Sequence, residues 1–309
     1  MIIWILLVVL VAGPALGEPV LNGFDVGDAS VSVVSGMPVR DGIRSVDSPT
    51  FAPAAEASWV ASDTQVIGIE IGGVARAYPV HLMEYHQIVN DDFAGRPVAV
   101  TYGPLSGTPV AYDASVGGER LEFGVSGLIH ESNFLMYDRS GEGLWSQFLG
   151  QAVTGPKMGT KLARIRLRQE AFAVWLGRHP ETTVLERPLP KRIDYRYSPF
   201  QDYWISDKVP FPVSTKDDRF HPKAGVLGVM VDAKARAYLG PVVTAAGGRI
   251  VDDFHGHRVL IAYDVEASSF SWEVPDEVQV SDAYWFSWKT FHPDTEVWQA
   301  EAEPTKAGD

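Results

Sequence analysis

The chain repeats itself, and this constrains its fold more than any other feature. Val66-Ile67-Gly68-Ile69 with Ala75-Arg76-Ala77-Tyr78 returns 160 positions later as Val226-Leu227-Gly228-Val229 with Ala235-Arg236-Ala237-Tyr238. Ile88-Val89-Asn90-Asp91-Asp92-Phe93, Gly95 and Val98-Ala99-Val100-Thr101-Tyr102 recur, with one residue deleted, as Ile250-Val251-Asp252-Asp253-Phe254, Gly256 and Val259-Leu260-Ile261-Ala262-Tyr263. Each copy closes with an aromatic segment and a common tail: Phe172, Trp175 and His179-Pro180-Glu181-Thr182, then Trp285, Trp288 and His292-Pro293-Asp294-Thr295. Three matching blocks in the same order imply a duplicated structural unit.

Within the unit the apolar pattern is that of short strands. Residues 65–71 and 74–78 flank Gly72-Gly73, a pair suited to a two-residue hairpin turn because glycine tolerates positive φ. Residues 96–102 form a third strand. Residues 109–113 and 119–125 are expected to make a hairpin around Gly117-Gly118, and 134–138 with 144–148 another around 139–143. Phe172, Trp175 and Leu176 fall at helical spacing before Pro180 ends the helix. The expected fold is mainly β with a few short helices (α+β), a duplicated hairpin-rich unit arranged as a barrel or sandwich. The first copy is the longer, because residues 103–159 have no full counterpart in the second.

The expected order along the chain is a signal peptide at 1–17 and an irregular extension at 18–58. The elaborated first repeat (59–188), a connecting segment (189–225), the second repeat (226–300) and a polar tail (301–309) follow. The signal peptide rests on the apolar run at 2–11 and on Ala15-Leu16-Gly17, small residues at the spacing a signal peptidase accepts. No Lys or Arg precedes the run, so an uncleaved membrane anchor is the alternative, although about ten apolar residues are short for a span. The expected location is periplasmic or secreted.

A net charge of −13, without any block of Lys or Arg, argues against nucleic-acid partners, and a membrane would be met only through the N-terminal segment. The absence of Cys excludes disulfides, thiolate metal sites and a cysteine nucleophile. No cofactor is predicted. Met83 and His86, at i and i+3, are the candidates for a metal such as copper, but a core methionine and a hydrogen-bonded histidine account better for the pair, so no metal is predicted. His255-Gly256-His257 aligns with Ala94 and Arg96 of the first copy and reads as an exposed turn. No true Gly-x-Ser-x-Gly occurs; Ser106 and Ser126 lie in near misses, so a serine-dependent hydrolase using either with His86 or His130 is the rival reading.

Several stretches together resemble a bacterial domain-of-unknown-function family, number 3179. They include His86-Gln87-Ile88-Val89-Asn90-Asp91, Phe123-Gly124-Val125-Ser126-Gly127, Met136-Tyr137-Asp138-Arg139, Leu144-Trp145-Ser146-Gln147 and Asp217-Asp218-Arg219. The resemblance, from about Val46 to Trp298, implies an exported protein and brings no established reaction. Typical members look like Tyr-Cys-Pro-Leu-Cys-Gly where this chain has Tyr102-Gly103-Pro104-Leu105-Ser106-Gly107. Thiol chemistry, in metal binding or redox cycling, is therefore closed to it. The function expected is an extracytoplasmic small-ligand-binding or scaffold protein, its partner an unknown small ligand or an envelope protein. The candidate ligand-binding residues are His86, Tyr102, Gly103, Ser106, Ser126, His130, Asn133, Trp145, Asp218 and Arg219.

Overall fold

A computed structural model describes residues 20–27, 29–189 and 192–300. The expected signal peptide and the polar tail lie outside the described residues. Among the described residues no helix is long and apolar enough to cross a membrane.

The described residues are mainly β with five short helices, and five small sheets among them stand in a ring like the blades of a five-bladed propeller. The ring replaces the barrel or sandwich expected from the sequence. In each copy a helix, Val80–His86 or Gly240–Ala245, follows the first hairpin directly. It interrupts strand pairing, so one copy yields two small sheets where a continuous sheet could have closed on itself.

The first sheet of each copy is built on a hairpin, Gln65–Ile71 with Val74–Pro79 and Gly225–Val231 with Lys234–Leu239. The second is a meander: Ile88–Phe93, Arg96–Gly103 and Thr108–Asp113 in the first copy, Arg249–Phe254, His257–Asp264 and Ser269–Glu273 in the second. The fifth sheet comes from the additional length of the first copy, Phe123–His130, Asn133–Asp138 and Leu144–Ser146, with Val34–Ser35 on its edge. Gly117-Gly118 does turn the chain, but the hairpin is only Ser115–Val116 against Glu119–Arg120. Thr108–Asp113 pairs instead with Arg96–Gly103 and Arg164–Ile165. Alternating patterns alone do not choose between antiparallel partners of similar length.

The repeated tail closes each hairpin sheet from both sides. An antiparallel strand (Arg168–Ala171 or Gln279–Tyr284) joins one edge, a helix (Phe172–Arg178 or Trp285–Phe291) crosses the sheet, and a parallel strand (Thr183–Leu185 or Glu296–Val297) joins the other. The helix is pinned by its tryptophan. Trp175 Nε1 donates to Thr182 Oγ1 and Trp288 Nε1 to Thr295 Oγ1, both at 2.9 Å. His179 and His292 lie on those rings at 4.0 and 4.1 Å between centroids.

A carboxylate with the same two partners is also repeated. Asp91 accepts from Arg76 and from the Tyr78 hydroxyl, and Asp252 accepts from Arg236 at 2.7 Å and Tyr238 at 2.6 Å. The aspartate thus ties the hairpin sheet to the meander in both copies. The neighbouring Asp92 and Asp253 accept the backbone N–H of Gly95 and Gly256 and shape the following turn, where Ala94 and His255 share φ near +50°.

Candidate functional site

The 103–107 loop joins two strands of the first meander. A sheet from each copy and the connecting segment meet on it. Tyr284 N donates to the Ser106 carbonyl at 2.8 Å, and the Tyr203 hydroxyl donates to the Leu105 carbonyl at 2.6 Å. Gly107 has φ +65°, and the Tyr284 ring lies where a β-carbon would stand, 2.8 Å away. Only glycine fits there.

On one side of the loop Gly103, Ser106 and Asn133 come together, but in a sealed network rather than a pocket. Asn133 Nδ2 donates to Ser106 Oγ (2.7 Å) and Gln147 Oε1 (2.8 Å), and Ser106 Oγ lies 2.7 Å from Thr108 Oγ1. Gln147 Nε2 donates to Thr101 Oγ1 at 2.8 Å, and the Thr101 hydroxyl donates to the Val110 carbonyl. All five side chains are buried. A β-carbon at Gly103 would meet Ser106 Oγ, Thr108 Oγ1 and Asn133 Nδ2 at 2.6, 2.7 and 2.9 Å. The positions at which the family resemblance places two cysteines therefore face one another, and here hydroxyls and amides fill the space between them.

The other sequence candidates are scattered. His86 donates from Nδ1 to the Arg44 carbonyl at 2.7 Å, which leaves Nε2 to accept from the Tyr195 hydroxyl at 2.6 Å. Both nitrogens are occupied, burial lowers the imidazole pKa, and Met83 is wholly enclosed in the core. Ser126 donates to the Leu135 carbonyl and accepts Leu128 N at the bulge of its strand. His130 Nδ1 bonds to the Ser32 carbonyl. Neither serine is hydrogen-bonded to a histidine, and neither hydroxyl meets solvent. Trp145 donates to Asp138 in the core at 2.8 Å. Asp218 and Arg219 are exposed, Arg219 being paired with Asp217.

Tyr102 points to a different group of residues, most of which the sequence reading missed. Its hydroxyl is held well above the usual phenol range by burial, with Tyr284, Glu84 and Asp282 adding negative potential. Tyr284 is raised by burial and by Glu84. Glu84 lies on the helix Val80–His86, Tyr102 on the first meander, and Asp282 and Tyr284 on the edge strand of the second copy's hairpin sheet. Glu84 is 2% exposed, and its Oε2 has no hydrogen-bond partner. Desolvation pushes its carboxyl up to about 7, against a weaker pull from Ser198. Asp282 is also pushed up to about 7, by desolvation and then by Glu170. Asp282 and Tyr284 are half-buried. One signal in the sequence could have flagged the group: Glu84 takes the place of Thr244 and Asp282 that of Gln169, so each copy carries a carboxylate where its counterpart is neutral.

These carboxyls make stability depend on pH. Glu84 titrates at 4.5 when unfolded and near 7 when folded, so between those values the folded state holds a proton that the unfolded state has released. This contribution is complete below about pH 4.5 and is lost as pH rises through 7. Urea midpoints are expected to fall between about pH 5 and pH 8, and Glu84→Gln, which mimics the neutral carboxyl, flattens that decline.

The match to known proteins accords with this fold without naming a chemistry. Residues 40–273 match the model of a family described as Protein of unknown function (DUF3179). The chain belongs to that family. No curated protein and no solved structure is detectably similar to it. The matched residues include both hairpins, both meanders, the three strands of the inserted sheet between residues 123 and 146, and all of the site except Asp282 and Tyr284. Those two lie beyond the match, on the strand that packs against the 103–107 loop.

Proposed function

We propose that this DUF3179 protein is an exported small-ligand-binding protein whose ligand is received at Glu84, Tyr102, Asp282 and Tyr284. Export rests on the apolar N-terminal run followed by small residues at a peptidase spacing. The binding reading rests on one observation above all: Glu84 is buried with a bare carboxyl oxygen. A buried polar atom without a partner costs on the order of 1–3 kcal/mol, and a fold retains such a cost most readily where a bound molecule relieves it. Tyr102 and Tyr284 supply aromatic surface near it, and half-buried Asp282 adds a second carboxyl beside Tyr102.

The test is a thermal-shift screen of the full-length exported protein, and of its Tyr284→Ala variant, against small molecules of differing charge. At least one compound is expected to raise the wild-type Tm and to leave the variant unchanged. If no compound shifts the wild type, the reading fails. Intact mass of the exported protein should correspond to a chain beginning at Glu18.

A further inference from the structure

The two meanders differ at one edge. In the first copy the edge strand Ile88–Phe93 is capped by the N-terminal extension: Val46 N donates to the Ile88 carbonyl and the Val46 carbonyl accepts Asn90 N, both at 2.8 Å. The segment before the second copy takes another route, past the 103–107 loop, where Tyr203 holds the Leu105 carbonyl. The equivalent strand, Arg249–Phe254, pairs in unbroken register with His257–Asp264, and among the described residues its other edge pairs with nothing. The far edges of both meanders are occupied. Thr108–Asp113 pairs with Arg164–Ile165, and the Trp272 carbonyl of Ser269–Glu273 accepts Arg168 at 3.0 Å.

The turn at His255-Gly256 makes Phe254 and His257 a hydrogen-bonded pair, so by alternation the N–H and C=O groups of Arg249, Val251 and Asp253 point away from His257–Asp264. Asp253 corresponds to Asp92 and Val251 to Asn90, which Val46 caps in the first copy. Among the described residues no hydrogen bond reaches these outward backbone groups. All three residues are exposed, Val251 by 58%. Neither Arg249 nor Asp253 has an ion pair among the described residues, and Asp253 accepts only the Gly256 N–H of its own turn, at 2.9 Å. The strand has no proline, lysine or bulge to block pairing, and its two outward charges are of opposite sign, equally spaced about Val251.

We propose that this edge pairs with the same edge of a second copy of the chain, antiparallel and centred on Val251. A two-fold axis there sets the outward backbone groups of Val251 against those of the partner's Val251, and each Arg249 against the partner's Asp253. Every outward N–H and C=O of the three residues then finds an acceptor or a donor, both exposed charges gain an opposite one directly across the ladder, and the two valines cover each other. Other registers lose this match. A parallel pairing in register sets like charges side by side, and an antiparallel slip of two residues puts Val251 opposite a charge. The pairing joins the two meanders into one continuous sheet. A single strand edge is a small interface, so a reversible dimer is expected rather than a permanent one. None of these residues belongs to the proposed ligand site, and the two readings stand or fall separately.

Sedimentation velocity of the full-length protein across micromolar to millimolar concentrations tests the pairing, and a monomer–dimer equilibrium is expected. Arg249→Glu turns both cross-strand pairs repulsive and should weaken the dimer by about tenfold or more, while adding Asp253→Lys should restore it. Val251→Pro removes an N–H that the strand's own ladder does not use, so it should abolish the dimer and keep the fold. If that variant loses its folded signal, crosslinking carries the test. The chain has no cysteine, so Val251→Cys supplies one thiol, opposed to its twin at about 5.5 Å between Cα atoms, within disulfide reach. Under mild oxidation it should form covalent dimers far faster than Val265→Cys, which is equally exposed at 59% but lies in a turn away from the edge. A monomer at every concentration with equal crosslinking at the two positions would overturn the proposal. A dimer indifferent to Arg249→Glu and Val251→Pro would also overturn it, by placing the contact elsewhere on the surface, and a charge swap that fails to restore the dimer would overturn the two-fold register.

Discussion

Gly228→Ala is expected to destabilise the protein by about 3 kcal/mol, and Gly68→Ala by a similar amount, both read from urea unfolding. A β-carbon at either position would fall inside the indole of Trp288 or Trp175, closer than real carbon atoms approach. The ring cannot swing away. Its Nε1 is tied to Thr295 or Thr182, its other face is covered by His292 or His179, and it is at most 2% exposed. The helix carrying the tryptophan would have to lift from its sheet, and the parallel strand that follows would lift with it. Replacing the tryptophan with leucine in the Gly228→Ala background should recover part of the loss, because the smaller side chain vacates the space the methyl needs. Additive losses in that double variant would mean that the contact is not the cause.

The same tail shows why the duplicated unit was legible in the sequence. Trp, His-Pro and Thr recur at fixed spacing because the indole, its histidine cover and its threonine acceptor must meet within two turns of chain, a local geometry that spacing records directly. Gly72-Gly73 and the turns at Ala94-Gly95 and His255-Gly256 were legible for a similar reason, since positive φ at successive positions selects residue type. The ring of sheets was not legible. Whether two hairpins share one sheet or form two depends on the helices Val80–His86 and Gly240–Ala245, whose short apolar sequences read equally well as continued strand. The extra length at 103–159 was visible as an asymmetry, but only the pairing of Phe123–His130 with Asn133–Asp138 reveals it as a fifth sheet.

The site followed the same division. Gly103, Ser106 and Asn133 could be grouped, because turn-forming polar residues stand out against apolar strands. Their burial reversed the expectation of a cavity: hydroxyls and amides numerous enough to satisfy one another leave nothing for a ligand. Glu84 and Asp282 were hidden for the opposite reason. Each is a single carboxylate within a largely apolar segment, and both act on Tyr102 only because the strand Gln279–Tyr284 packs beside the 103–107 loop, nearly two hundred residues from the helix bearing Glu84. Long-range proximity of isolated residues leaves no periodic trace.

Asp91→Ala is expected to cost about 4 kcal/mol and Asp252→Ala roughly half as much, although the two residues make equivalent bonds. In both copies removal of the carboxylate strands an arginine and a tyrosine hydroxyl. The difference lies in what else the arginine can reach. The Asp91 side chain is 3% exposed and that of Asp252 15%, but Tyr78 and Tyr238 are equally enclosed and Arg76 and Arg236 equally accessible. Arg236 also keeps a second partner in Glu296 at 2.5 Å. Arg76 retains the Asp92 carbonyl and the rings of Phe51 and Phe93, but no second carboxylate. Equal losses, measured by urea unfolding of the two variants, would show that the shared bond dominates and that the surroundings do not. A larger loss at Asp252 would show that the Glu296 pair cannot stand in for it. The expected order follows from one physical step: breaking an ion pair costs less where the surviving charge keeps a second carboxylate to pair with.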